Sequence, residues 1–234
     1  MEAIILAGGL GTRLRSTVPS LPKPMAPIKG KPFLWYLLNY WLDQGIKHFI
    51  LSAGYKYEVI REQFGTKYKD TDINYSIENE ALGTGGGLLL AIKQLRTKQP
   101  FLLLNGDTFF AVNLNNLLQY HKNCKSDMTL SLVKIKQNKR YSSVLLDKHG
   151  LICSIGSPTN SSKNGMANGG VYIIDPLVLT VLDYKAGDVA SLEDELLPNL
   201  VKHGGRLYGL NCLGKFIDIG VPSDYYRAEE VLSS

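Results

Sequence analysis

Through its first half the chain alternates short apolar runs with amphipathic stretches, the pattern of a parallel sheet with crossover helices. Ala3–Ala7 is an apolar run stopped by Gly8 and Gly9, which predicts a buried strand. Pro32–Gln44 carries Phe33, Leu34, Leu37, Leu38 and Trp41 at helical spacing, opens on a proline at a first-turn position and stops at Gly45. Phe49–Ala53 predicts the next strand and Tyr57–Phe64 the next helix, and Ile73, Tyr75 and Ile77 alternate as a third strand. Thr84–Leu95 reads as helix, and Phe101–Leu104 as a centrally buried strand.

After Asp107 the elements shorten. Leu114–Tyr120 predicts a helix, with strands at Met128–Ile135, Ser143–Leu146 and Val171–Ile174. The stretch 156–170 is rich in Ser, Asn and Gly and predicts a surface loop. Ser191 followed by Asp194 is a helix cap that opens a helix to His203, and a last helix follows Pro222. The fold class is α/β, with a mixed but mostly parallel central sheet flanked by helices and a small antiparallel lobe in the second half. At 234 residues one domain over 1–234 is expected, its halves meeting near residue 110 (1–110 and 111–234).

A net charge of +5, scattered among acids, suits a phosphate-bearing small substrate at least as well as nucleic acid. Neither a membrane-spanning run nor a signal-peptide pattern is present, so a cytoplasmic chain is expected, as a monomer or small homo-oligomer. Cys124, Cys153 and Cys212 are expected to be packing residues, since no CxxC or zinc spacing joins them. His48, His121, His149 and His203 stand alone and predict surface or capping roles.

Chemistry concentrates in Leu6–Pro24, LAGGLGTRLRSTVPSLPKP. A strand ending in Gly8, Gly9 and Gly11 exposes backbone N–H groups without Cβ obstruction, as a polyphosphate requires. Leu14 at the place of the third glycine and the want of a clear acidic residue ending the second strand count against the dinucleotide fingerprint, and the missing Lys-Ser/Thr pair counts against a Walker loop. Arg13 can grip two phosphate oxygens as a fork. Lys23, bracketed by Pro22 and Pro24, presents its ammonium at small entropic cost. Asp107 follows an apolar strand and Gly106, at the edge where open α/β sheets bind ligands.

LAGGLGTRL followed by LPKPMAPI resembles the opening of the sugar-1-phosphate nucleotidylyltransferase family. The resemblance continues through Glu80-Ala81-Leu82-Gly83-Thr84-Gly85-Gly86, Asn105-Gly106-Asp107, Asn168-Gly169-Gly170-Val171-Tyr172 and Asp218-Ile219-Gly220-Val221-Pro222, covering almost the whole chain. It implies a Rossmann-like nucleotide-diphospho-sugar transferase fold with an acceptor-binding lobe. It also implies transfer of a nucleotidyl group from a nucleoside triphosphate to a sugar 1-phosphate. Arg13, Lys23 and Asp107 are the implied catalytic residues. Leu6, Ala7, Gly8, Gly9, Gly11, Thr12, Arg13, Lys23, Glu80, Leu82, Gly83, Thr84, Gly106 and Asp107 would bind nucleotide. Asn168, Gly169 and Glu193 would bind the sugar, and Asp107 with Asp218 would hold Mg²⁺.

Within the family, the compact length, the PKPMAPI run and the LGTGG loop are most similar to the D-glycero-D-manno-heptose 1-phosphate guanylyltransferases, which implies GTP as donor. Mannose 1-phosphate guanylyltransferases, N-acetylmuramate 1-phosphate uridylyltransferases and glucose 1-phosphate thymidylyltransferases are the alternatives. A non-catalytic nucleotide-sugar-binding regulatory subunit is the alternative of another class. One departure stands out. Many relatives carry a Glu-Lys pair upstream of Asn-Gly-Gly, with the lysine on the sugar phosphate; here that stretch reads Ile155-Gly156-Ser157-Pro158, and Lys163 is nearby but not aligned.

Overall fold

A computed structural model describes residues 1–9, 11, 13–14, 17–135, 141, 143–156 and 165–233. In chain order the first half runs β1 (Glu2–Leu6), β2 (Pro27–Ile28), β3 (Lys31–Pro32), α1 (Phe33–Asp43), β4 (His48–Ala53), α2 (Tyr57–Phe64), β5 (Lys67–Tyr68), β6 (Thr71–Ile77), α3 (Gly83–Ala91), β7 (Phe101–Asn105) and β8 (Thr108–Phe110). The second half adds α4 (Leu114–Asn123), β9 (Met128–Ile135), β10 (Ser143–Leu146), β11 (Ile152–Gly156), β12 (Gly165–Ile174), α5 (Leu197–Lys202), β13 (Leu207–Asn211), β14 (Phe216–Asp218) and α6 (Pro222–Ser233).

Most strands form one ten-stranded sheet with the central order β12-β7-β1-β4-β6. β7, β1, β4 and β6 are parallel neighbours, while β12 joins β7 antiparallel and carries β9 and β10 at its other edge. Alternation along the strands feeds two cores. Ala3 and Ile5 face one way, against Leu34, Leu37 and Leu38 of α1, Ile60 of α2, Leu117 of α4 and Ala228 of α6. Ile4 faces the other, against Leu88 and Leu89 of α3 and Leu197 and Leu200 of α5. Leucines such as Leu34 and Leu38 are fully buried, each contributing about 1.5–3 kcal/mol over exposure. The α/β class with a mixed, mostly parallel sheet is therefore the observed architecture.

Several expectations are corrected. Residues 165–170 belong to β12, where Gly165–Asn168 pair with β9; of the loop expected at 156–170, residues 157–164, with Ser157, Pro158 and Lys163, lie outside the described residues. Pro32 sits one place earlier than expected, at the N-cap of α1. α3 stops at Ala91 and closes in a 3₁₀ turn over Ile92–Gln94. His48 and His121 are buried, not superficial: His48 Nδ1 lies 2.6 Å from Glu2 Oε2, and His121 Nδ1 lies 2.9 Å from Thr129 Oγ1. Cys153 is exposed, not packed inside. The helix opened by Ser191 begins as a π turn over Leu192–Leu196, with Leu196 N bonded to Ser191 O at 3.0 Å, before continuing as α5. Pro198 explains that widening, because it has no N–H to return to Asp194 and its ring crowds the carbonyl one turn back. Among the described residues no helix is long and apolar enough to cross a membrane.

Candidate active site

From β1 the chain progresses through β4 to β6 on one side, then returns to place β7 on the other side of β1. Chain direction thus diverges between the C-terminal ends of β1 and β7, where open α/β sheets form a crevice. A cleft of about 670 Å³ lies there. Gly106 lets the two strand ends close up: its N–H donates to Leu6 O at 2.9 Å, and a Cβ on it would stand 2.4 Å from that oxygen.

Lys23 occupies a single 3₁₀ turn, Lys23–Met25, with Pro22 extended before it. Its Cβ packs at 3.1 Å from where a side chain on Gly11 would begin, and Gly11 holds a φ of +59°. The ammonium donates to Asp107 Oδ2. Desolvation pushes the Asp107 carboxyl up, but the Lys23 ammonium beside it outweighs this and holds it below its ordinary value. Asp218 arrives on β14, which pairs with β8 so that Asp218 stands opposite Thr108, next to Asp107. Gly220 N–H donates to Asp218 Oδ1 at 2.6 Å, and Ile219 N–H to Asp107 O at 2.9 Å. Arg13 is exposed at the cleft.

One wall is made by Glu78, directly after β6. Its carboxylate accepts from Ser52 Oγ and from Leu82 N–H, both at 3.1 Å. Gly8 and Gly87 make room for it, since a Cβ on either would meet Glu78 Oε1 at 2.4 or 2.8 Å. The other glycines of this loop accommodate protein as well. A Cβ on Gly83 would stand 2.6 Å from Ala190 O, and one on Gly86 would stand 2.2 Å from Asp188 O.

The opposite wall comes from β12. Pairing with β9 shifts register between Asn168 and Tyr172, so four steps along β12 span only two along β9, from Leu132 to Leu130. This bulge turns Asn168 into the cleft, as bulges beside functional sites do. Gly170 has a φ of +72° against the Asn105 side chain, and a Cβ on Gly169 would lie 2.5 Å from the Phe110 ring. Asn168 Nδ2 donates to the buried Tyr172 hydroxyl at 2.6 Å. Burial first, then the nearby Glu193 charge, push the Tyr172 phenol well above its ordinary value, so it stays neutral. Glu193, on the π turn, accepts from Thr84 Oγ1 at 2.8 Å. Burial pushes its carboxyl up despite that bond.

The cleft holds an ammonium–carboxylate pair at the sheet's switch point, a second carboxylate adjoining it and polar groups on both walls, and the sequence that builds it matches the nucleotidyl transferase family over residues 2–234. The chain belongs to that family. It is 42% identical over 99% of its length to a D-glycero-α-D-manno-heptose 1-phosphate guanylyltransferase of Aneurinibacillus thermoaerophilus, covering 98% of that protein. Identity is also 42% to the protein of the same name from Campylobacter jejuni, over 97% of this chain and 98% of the relative. The crystal structure of HddC from Yersinia pseudotuberculosis superposes with a TM-score of 0.85 at 35% identity, over 98% of both chains. The same protein has been crystallised in complex with GMP-PN.

In this nucleotidyl transferase the cleft gathers Leu6, Ala7, Gly8, Gly9, Gly11, Arg13, Lys23, Gly83, Thr84, Gly106, Asp107, Asn168, Glu193 and Asp218. Three expected residues do not line it. Glu80 is exposed outside the lining, and Glu78, one strand-repeat earlier, takes the wall instead. Leu82 is buried beneath the loop, contributing its N–H to Glu78. Gly169 packs on Phe110, and its neighbour Gly170 reaches the lining. Thr12 lies outside the described residues. Sequence reasoning missed Asn105, Tyr141 and Phe216. Asn105 ends β7 with Oδ1 buried and without a hydrogen-bond partner among the described residues. Tyr141 and Phe216 line the cleft with ring centroids 5.7 Å apart. Asn105 carried a usable signal, a polar residue closing an apolar strand; the two aromatics carried none.

Proposed function

We propose that the chain transfers the guanylyl group of GTP to D-glycero-α-D-manno-heptose 1-phosphate, releasing pyrophosphate. The near full-length identity to two enzymes of that name carries this reading. Glu78 supports the choice of base. Its carboxylate accepts only, is fixed by Ser52 and Leu82 N–H, and retains lone pairs that complement the N1–H and 2-amino donors of guanine. Uracil and thymine offer a single ring N–H, and the Watson–Crick edge of adenine offers one amino group.

An oxygen of the sugar phosphate attacks the α-phosphorus, forming the new P–O bond as the bond to the bridging oxygen of pyrophosphate breaks. The nucleophile is already an anion, so positioning and charge neutralisation do the catalytic work. Arg13 and Lys23 are the catalytic cations, and deleting one such preorganised contact typically costs on the order of 3 kcal/mol. Asn168 and Glu193 receive the sugar hydroxyls. Nucleotidyl transferases generally use a divalent metal. Asp107 and Asp218 are hard oxygen donors on adjoining strands, at a place that already accommodates the Lys23 ammonium, and they fit Mg²⁺. Bound there, the ion would neutralise charge on the α-phosphate and the departing pyrophosphate. The nucleotide half is taken as 1–110, the sugar half as 111–234, and the cytoplasm as the compartment where both substrates are met.

The test is pyrophosphate release from GTP, UTP, dTTP, CTP and ATP, each with heptose, mannose and amino-sugar 1-phosphates. GTP with the heptose phosphate is expected to give the highest kcat/KM. A higher value for any other pairing overturns the assignment. No release in any pairing, with nucleotide still bound, replaces it by the regulatory-subunit reading.

A further inference from the structure

α3 begins without a side-chain cap of its own: Leu82 occupies the N-cap, and Gly83, Gly85, Gly86 and Gly87 have no side chains to offer. Its first amides are satisfied from the sugar half of the chain. Gly85 and Gly86 N–H donate to Ala190 O at 2.8 and 3.2 Å, and Ala190 N–H returns a bond to Leu82 O at 2.9 Å. Thr84 is the one residue of this helical turn with a polar side chain, and its hydroxyl is fully engaged across the same junction. Oγ1 donates to Glu193 Oε2 at 2.8 Å and accepts from Leu192 N–H at 2.9 Å. With both proton and acceptor used, the hydroxyl has a single orientation, and it fixes the carboxylate it bonds.

Glu193 needs such a partner. It lies on a π turn, where Ser191 O accepts from both Glu195 and Leu196 N–H and the backbone is less regular than in an α-helix. Thr84 thus ties the turn that opens α3 directly to the Glu193 carboxylate and to the backbone of the π turn that carries it.

We propose that Thr84 is a positioning residue for the sugar phosphate: from the nucleotide loop, its hydroxyl orients the Glu193 carboxylate toward the sugar hydroxyls. The inference rests on Glu193 receiving the sugar. If the sugar is held in this way, losing the hydroxyl weakens acceptor binding while nucleotide binding is kept. A threonine that only fastened α3 to the π turn would move every parameter together.

The experiment measures steady-state kinetics and thermal midpoints for Thr84→Val, Thr84→Ala, Thr84→Ser, Glu193→Gln and the double variant Thr84→Val/Glu193→Gln. One lost hydrogen bond to a charged group predicts a roughly tenfold or greater rise in KM for the sugar 1-phosphate in Thr84→Val and Thr84→Ala. KM for GTP should stay within about twofold, and Thr84→Ser should restore the wild-type value. Because the effect runs through Glu193, Thr84→Val should add nothing further in the Glu193→Gln background. Equal rises in both KM values, no rescue by serine, or full additivity in the double variant overturns the proposal. An unchanged sugar KM in Glu193→Gln instead overturns the assignment of the sugar site. A raised KM in Glu193→Gln alone, with Thr84→Val at wild-type values, overturns only the role of Thr84. If valine prevents folding, alanine and serine carry the same comparison.

Discussion

Gly106→Ala isolates the contact that closes the cleft. An ideal Cβ at this position would lie 2.4 Å from Leu6 O, 3.0 Å from Leu6 C and 3.1 Å from Ala7 Cα, all backbone atoms that no rotamer change can move. Restoring ordinary contact distances requires the ends of β1 and β7 to part by about 1 Å. The bond from Gly106 N–H to Leu6 O, 2.9 Å in the native chain, breaks with that movement. Overpacking of this kind costs about 1–3 kcal/mol, and at this chain length each kcal/mol lowers Tm by about 2–4 °C. The functional effect is larger, because Asn105 and Asp107 flank the substituted residue and move with it. A 1 Å misplacement of reacting groups lowers rate by about 100-fold, or roughly 2.7 kcal/mol. Pyrophosphate release and a thermal melt are to be compared with Gly9→Ala, whose Cβ would meet nothing within 4 Å. Gly106→Ala should lose about 100-fold in kcat/KM and several degrees in Tm, while Gly9→Ala melts as wild type. Wild-type kcat/KM and Tm in Gly106→Ala would refute the steric argument.

Glu78→Gln replaces an acceptor-only carboxylate with a group that also donates, so kcat/KM for GTP should fall about tenfold or more, with UTP and dTTP affected less; equal losses for all bases would remove Glu78 from base selection. Glu193→Gln should raise stability at neutral pH. Burial holds the Glu193 carboxyl above its ordinary value, so ionised Glu193 opposes folding above that raised value and not below about pH 4, where it is protonated in both states. Melts at pH 7 and pH 4 should show a gain of about 1–2 °C only at the higher pH, together with a raised KM for the sugar 1-phosphate. Glu2 runs the opposite way. Desolvation pushes its carboxyl up, but bonds from Arg96 N–H, His48 and Thr97 outweigh this and hold it below the unfolded value of 4.5. Its contribution is therefore present above that value and lost as pH falls through the lower folded one. Glu2→Gln, which leaves buried donors facing an amide, should cost about 1–3 kcal/mol at pH 7 and progressively less below pH 4 by urea unfolding; a pH-independent difference would refute the linkage.

The first half of the chain was legible because its signals are local. Ala3–Ala7, Tyr57–Phe64 and Phe101–Leu104 announce themselves by apolar runs and periodicity, and the observed β1, α2 and β7 follow them closely. The glycines after β1 and the proline-bracketed Lys23 likewise act through their own backbone. What failed depends on contacts between distant segments. β8 and β14 are three residues each, and neither has a pattern until Thr108 meets Asp218 across the ladder. β12 hides behind Asn168, Gly169 and Gly170, whose composition reads as loop while their pairing makes a bulged strand. His48 and His121 look superficial in sequence because Glu2 and Thr129, which satisfy them inside, are set by the fold.

The glycines at 83, 85 and 86 carry this distinction into the site itself. By resemblance they belong to a loop that faces base and ribose, which would leave their open space to a ligand. In the fold, that space is taken by the backbone of Asp188 and Ala190, and the amides of Gly85 and Gly86 are satisfied by Ala190 O. The loop at 83–86 is thus shaped by the segment Asp188–Ala190 of the second half, with Thr84 and Glu193 adding a side-chain tie across the same junction. Exchange of the sugar half between relatives would then disturb the nucleotide loop unless the segment from Asp188 to Glu193 were carried with its complementary glycines. If Glu193 receives the sugar as proposed, a substitution at Gly83 or Gly86 should raise KM for the sugar 1-phosphate although neither residue faces the sugar wall, and an unchanged KM would refute the coupling.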